Sequence, residues 1–214
     1  MDVRQAIYQR RSIRAFKPEP VAKKTLLQLL DAAVQAPSAR NMQPWHFVVI
    51  TGKARDRLVA KLVATYDQEV AQGVMPPAMA LPEPYQTRVN QFLNDLQSFC
   101  QSGGALDLMR GSLTFYNAPA IILVTLEQRL YPDRLFDLGA AVQNLLLLAP
   151  SLGLGACVIG IALRYKTLIR EELQLPESIN PIMTIAVGKP DEAHPILAFR
   201  AGRQDVAEFL TWIE

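Results

Sequence analysis

The chain has 214 residues, with 22 Lys and Arg against 20 Asp and Glu, a formal net charge of +2, and half of its residues apolar. That balance excludes a general nucleic-acid binder, which would carry a strong basic excess. It also excludes intrinsic disorder, because apolar material is ample enough to offset chain entropy. Cys100 and Cys157 are the only cysteines, which excludes disulfide scaffolds and zinc ribbons, and Met1-Asp2-Val3-Arg4 opens no apolar signal segment. The expectation is a cytoplasmic globular protein.

Asp2 is placed to cap a short helix running to about Gln9. Arg10 to Arg14 follows, and then the proline-bounded stretch Phe16 to Pro20, which reads as extended or turned. From Val21 to Ala36, the spacing of Leu26, Leu29, Leu30, Ala33 and Val34 predicts an amphipathic helix. Pro37 stops it, Ser38 to Pro44 is a polar loop, and Trp45 to Thr51 is a buried strand closed by Gly52. A helix is expected from Ala54 to Gln72, with Leu58, Leu62 and Tyr66 inward. Gly73 to Pro84 carries four prolines and reads as a loop, a candidate lid. Val89, Phe92, Leu93, Leu96 and Phe99 mark another helix that fades near Gly103-Gly104, and a shorter one precedes Asn117.

The remainder alternates: strand Ala120 to Leu126, helix Pro132 to Ser151, strand Ala156 to Ile161, helix Thr167 to Leu173, strand Pro181 to Val187. Mixed segments with few hairpin signals point to an α/β or α+β domain around a central sheet. Leu138 to Leu163 is an uncharged run of 26 residues, long enough to cross a bilayer. Gln143, Asn144, Pro150, Ser151 and four glycines interrupt it, which favours two shorter elements of a protein outside the membrane. The apolar tail at Val206, Phe209, Leu210, Trp212 and Ile213 needs a surface to pack on, and a second subunit is the expected one.

Most familiar chemical motifs fail. Gly153-Leu154-Gly155 follows a helix and precedes a strand, the reverse of a dinucleotide fingerprint. His46 and His194 have no second ligand at metal spacing, and Cys157 in an apolar strand reads as an inert thiol. Two clusters remain. Arg10, Arg11, Ser12 and Arg14 form either a phosphate site or a solvated charged face. Ser38 to Gln43 is either a polar turn or a set of amides and a hydroxyl facing a planar, heteroatom-rich ligand.

Five short motifs then occur in the order seen in nitroreductase-family flavoproteins. They are Arg10-Arg11-Ser12-Ile13-Arg14-Ala15-Phe16, Pro37-Ser38-Ala39-Arg40-Asn41-Met42-Gln43-Pro44-Trp45, Asn117-Ala118-Pro119-Ala120, Gly153 to Gly160, and Gly188-Lys189-Pro190. The chain resembles that family over nearly its whole length, least so between Gln72 and Gly111. The resemblance implies one α+β domain over residues 1–214, a central mostly antiparallel sheet flanked by helices, with 72–111 as a lid or insertion. It also implies an intertwined homodimer with FMN in two interface clefts. By that likeness Arg10, Arg11, Ser12, Arg14 and Arg203 hold the phosphate and ribityl chain. Pro37, Ser38, Ala39 and Asn41 come from the other subunit, and Val158, Ile159 and Gly160 pass near flavin N5. Asn144 is either a ring contact or a polar residue satisfied among helices. Gln204 stands where the family more often has a second basic residue.

The activity implied is NAD(P)H oxidation coupled to reduction of nitroaromatic, quinone or similar conjugated acceptors, in a ping-pong order through one cleft. No side chain need act as nucleophile or base, and no metal is expected. Other flavin chemistry on the same fold (dehalogenation, enone reduction, heterocycle dehydrogenation) and non-catalytic binding of an anionic ligand are the alternatives. No nucleic-acid or membrane partner is expected.

Overall fold

The protein is described here from a computed structural model covering residues 2–74, 80–101 and 107–214. The Met75 and Met79 positions of the expected lid, and the fading of a helix near Gly103-Gly104, lie outside these residues. Two compact units divide the chain, one of Met1–Met75 with Asp107–Leu197, the other of Pro76–Leu106 with Ala198–Glu214.

The larger unit is built on a four-stranded sheet: β1 (Trp45–Thr51), β2 (Ala120–Glu127), β3 (Gly155–Ile159) and β4 (Ile179–Gly188), in the order β1-β2-β4-β3. All three pairings are antiparallel, which decides for α+β. The central strand β2 is buried along nearly its whole length, so both of its faces must be apolar, and Ala120 to Leu126 is correspondingly an almost unbroken apolar run. A bulge between Val124 and Thr125 shifts the β2–β4 register, so Thr125 pairs with Pro181, and β4 starts two residues before the predicted Pro181.

Helices cover both faces. On one, α2 (Lys23–Val34) and α6 (Leu135–Leu148) pack on each other and on Ile122, Val124, Ile185 and Val187. The alternate residues Ile121, Leu123 and Ala186 face the opposite side. There α3 (Gly52–Ala71) buries Leu58 and Leu62 and meets β1, β2, α5 (Leu108–Leu113) and α7 (Lys166–Glu172). The short α1 (Val3–Gln9) is capped by Asp2 in a reciprocal capping box with Gln5, as expected.

Several boundaries move. Gly52 opens α3 instead of closing β1; its φ of +53° makes the turn that a side chain would resist. Helix α6 is shorter than predicted: it begins at Leu135 and passes at Leu148 into a 3₁₀ turn, Ala149–Leu152, that accommodates Pro150. Strand β3 ends at Ile159, two residues early. The apolar stretch Leu135–Leu152 is long and apolar enough to cross a membrane by length and composition alone. Leu138, Ala141, Leu145 and Leu146 of α6 nonetheless belong to the core beneath the sheet.

The smaller unit contains α4 (Glu83–Gln101) and the C-terminal arm. Pro84 sits in the first turn of α4, where its missing N–H costs nothing, so the expected loop ends earlier. Phe92 and Phe99 both pack on Phe199 of the arm, at ring separations of 6.1 and 5.5 Å. Arg88 lies 4.9 Å over the Phe209 ring and pairs with Glu208. Phe92 and Phe99 are thus half-buried and make ring contacts within the smaller unit.

Candidate active site

Residues Arg10 to Arg14 run as an extended strap along the outer edge of β3. Ser12 bridges Ala156 in parallel, and the Ile13 amide donates to the Ala156 carbonyl at 3.0 Å. Farther along, Lys17 donates to the Lys189 carbonyl and Asp191 to that of Ala15, so the strap is stitched at both ends. Ile13, Ala15 and Phe16 are buried while Ser12 and Arg14 stay half-exposed, a period of two that an extended segment produces. Gly155 makes the close approach possible: a Cβ there would stand 2.6 Å from Ile13 Cγ1.

The side chains of the strap gather around one thiol. Burial pushes Cys157 up from its ordinary value, against the opposing pull of Arg14, the Ser12 hydroxyl and Arg10. Burial also raises the Tyr116 hydroxyl, which shares a hydrogen bond with Ser112 at 3.2 Å and feels Arg14. Cys157 is 3 % exposed, in keeping with a buried, unreactive thiol.

Beyond the strap, β3 carries Val158 and Ile159 into the 3₁₀ turn Ile161–Tyr165, with Gly160 between. The Thr184 hydroxyl on β4 donates to the Ile159 carbonyl at 2.6 Å. At the far end the Tyr165 hydroxyl donates to Glu69 Oε2 at 2.6 Å, and Arg164 approaches the same oxygen at 3.5 Å. Burial first, and then the bonded Glu69 carboxylate, push the Tyr165 phenol up to about 12. On its other side Val158 walls a cavity of about 610 Å³ with Val124, Leu138, Val142, Met183 and Lys166. That size suits a small organic molecule.

The Ser38–Gln43 loop is held from α6. Asp137, buried in the first turn of that helix, accepts the Ala39 N–H at 3.3 Å. Ser38 Oγ accepts the Gln43 N–H at 2.9 Å, and Arg40, Asn41 and Gln43 all have φ near +50°. Three non-glycine residues in that region are a strained arrangement that the surrounding bonds must hold. Asn144 donates its amide to the Ala32 carbonyl at 3.2 Å, tying α6 to α2. Arg203 lies in the smaller unit, with its guanidinium on its own Ala201 and Gly202 carbonyls.

The structure thus pairs the strap with β3 at Ala156 and sets Arg10, Ser12 and Arg14 around Cys157, the residue before Val158, Ile159 and Gly160, although strap and strand are far apart in the chain. Cationic groups and a hydroxyl at one end and a strand edge at the other suit a ligand that is anionic at one end and accepts hydrogen bonds along a ring at the other. Sequence reasoning missed Asp137, Thr184 and the Glu69–Tyr165 pair. Only Asp137 left a signal, as the last charge before a long uncharged run. Among the described residues no three His, Cys, Asp or Glu side chains cluster as a metal site would require.

This combination of antiparallel sheet, edge strap and helix-anchored loop defines an α+β fold with a cationic strap at the sheet edge, and likeness to known proteins identifies its family. Residues 7–189 match the model of the nitroreductase family. The chain is 30 % identical over 216 residues to a chloronitrobenzene nitroreductase from Comamonas testosteroni, covering 97 % of this chain and 95 % of that protein. It superposes at a TM-score of 0.82 on the FMN-dependent nitroreductase NfnB from Mycobacterium smegmatis in complex with NADPH. That match is 28 % identical and covers 99 % of this chain and 97 % of the other. A Sphigopyxis NfnB structure shares the fold at a TM-score of 0.89 and 24 % identity over the full length of both chains. The chain belongs to the nitroreductase family.

Proposed function

We propose that the chain is an FMN-dependent NAD(P)H oxidoreductase that reduces nitroaromatic, quinone or similar conjugated acceptors. The observation that carries this reading is the strap of three arginines and a serine hydrogen-bonded along the edge of β3. Arg10, Arg11, Ser12 and Arg14 would hold the phosphate and ribityl end of FMN, and Arg203 is proposed as a further phosphate contact. Val158, Ile159 and Gly160 would offer backbone groups to the ring, and Asn144 stays a weaker contact because its amide nitrogen already serves Ala32. When bound, FMN would supply the two-electron hydride chemistry between nicotinamide and acceptor. The protein would supply orientation and electrostatics, so no nucleophile–base pair is required. Donor and acceptor using one cleft in turn gives a ping-pong order. The relatives' names, with nitroarenes as substrates and NADPH bound in one case, support the choice of partners.

Pro37, Ser38, Ala39 and Asn41 are assigned to the cleft of a second subunit in a homodimer. The exposed apolar residues Val206, Phe209, Leu210, Trp212 and Ile213 support that assembly, since such a surface is unstable in water. The 72–111 segment, which includes α4, is proposed to select the acceptor, and the enzyme is proposed to be cytoplasmic. The test is spectroscopic. The purified protein should be yellow, bleach with NADH or NADPH under anaerobic conditions, and recolour with nitrobenzene. A colourless protein that gains no bound flavin from added FMN would overturn the proposal.

A further inference from the structure

The peptide groups on the free edge of β3 have directions that the hydrogen bonds determine. Ala156 turns its carbonyl outward, where Ile13 donates to it at 3.0 Å. Strand alternation then turns the Val158 N–H to the same edge. Ile159 stands opposite Thr184 in the ladder, and its carbonyl accepts the Thr184 hydroxyl at 2.6 Å, so that carbonyl faces β4. The Ile159–Gly160 peptide is trans, and in a planar trans peptide the N–H and C=O point opposite ways. The Gly160 N–H therefore faces away from β4, toward the edge along which the arginine strap runs. Its neighbour is held as well, because the Gly160 carbonyl accepts the Leu163 N–H at 3.0 Å.

Thr184 is 2 % exposed in an otherwise apolar stretch of β4, Ile182 to Val187. Valine would fill the same space and carry no hydroxyl to satisfy, so packing alone does not call for threonine there. We infer that Thr184 is a positioning residue: by holding the Ile159 carbonyl it aims the Gly160 N–H at flavin N5 of bound FMN. The inference rests on the FMN reading above. A fixed donor favours the oxidised ring, whose N5 is a bare acceptor, over the reduced ring, whose N5 carries a proton. Loss of the hydroxyl leaves the ladder pairing of Ile159 with Thr184 but loosens the aim of the donor, which lowers the affinity for oxidised FMN relative to reduced FMN.

The test compares Thr184→Val, Thr184→Ala and Thr184→Ser with the wild type. The readouts are the flavin midpoint potential and the Kd for oxidised FMN. Serine and alanine lose the same methyl group and differ only in the hydroxyl, so this pair decides the matter even if the valine variant does not fold. The expected result is a three- to tenfold fall in the oxidised-to-reduced affinity ratio for alanine and valine, with serine like the wild type. Tenfold corresponds to about 30 mV for a two-electron couple. Equal shifts in serine and alanine, or none in alanine, would overturn the role of Thr184 and leave FMN binding standing. A wild-type chain that takes up no FMN would overturn the FMN reading and this inference with it.

Discussion

Ile13 rests directly on the Cα of Gly155: a methyl group placed on that glycine would stand 2.6 Å from Ile13 Cγ1 and 2.9 Å from its Cβ and Cγ2. The contact joins the N-terminal strap to the strand that forms the other half of the site. The Ile13 amide, donating to the Ala156 carbonyl at 3.0 Å, is a second link between them.

Gly155→Ala should therefore act on the strap. Overpacking at a buried position costs about 1–3 kcal/mol, visible as a lower thermal midpoint. The displaced strap should also weaken FMN binding, measured by flavin fluorescence titration. Pairing the change with Ile13→Ala should restore much of both losses, because neighbouring residues couple. Additive losses in the double variant would show that the two residues do not act through each other.

Asp137 anchors the strained Ser38–Gln43 loop through the Ala39 N–H. Asp137→Ala removes the acceptor and leaves that amide without its bond, at a cost of about 1–3 kcal/mol. Amide exchange at Ala39 and its loop neighbours should quicken well beyond the change elsewhere. Unchanged protection across the loop would remove Asp137 from this role.

The Tyr165 phenol, pushed up to about 12 from the ordinary 10.0, makes stability depend on alkaline pH. The unfolded chain releases this proton near pH 10 and the folded chain only near 12. The stabilising contribution is thus complete below about pH 10 and is lost as pH rises toward 12. Urea midpoints of the wild type should fall relative to those of Tyr165→Phe across that window and run parallel below it. Parallel midpoints from pH 8 to 11.5 would contradict the raised Tyr165 phenol.

How far the sequence alone reaches can be judged residue by residue. The helix stripe of Leu26, Leu29 and Ala33 and the apolar run of β2 were legible because periodicity is local, and burial of both is what the structure shows. The arginine cluster was legible as a cluster, but not as an edge strap, because its partner Ala156 lies far along the chain and no pattern encodes that pairing. Gly52 was misplaced because glycine is a poor helix former, and its positive φ serves the turn into α3. Asp137 looked like the boundary of an uncharged run, and only tertiary structure, across 98 residues, gives it the Ala39 amide. Thr184 looked like an ordinary strand residue, since β-branching suits a strand whatever its hydroxyl does. Glu69 and Tyr165, 96 residues apart, carried no joint signal at all.

The central claim, that the Arg10–Arg14 strap seats the phosphate of FMN, is tested most directly by comparing FMN with riboflavin, which lacks that phosphate. Equilibrium titrations of the wild type should show FMN binding at least about tenfold more tightly, since charge-assisted bonds to phosphate exceed the roughly 1.4 kcal/mol that a factor of ten requires. Arg10→Ala and Arg203→Ala should each weaken FMN about tenfold and leave riboflavin unchanged. Equal affinity for the two flavins in the wild type, or full FMN affinity in both variants, would contradict the account.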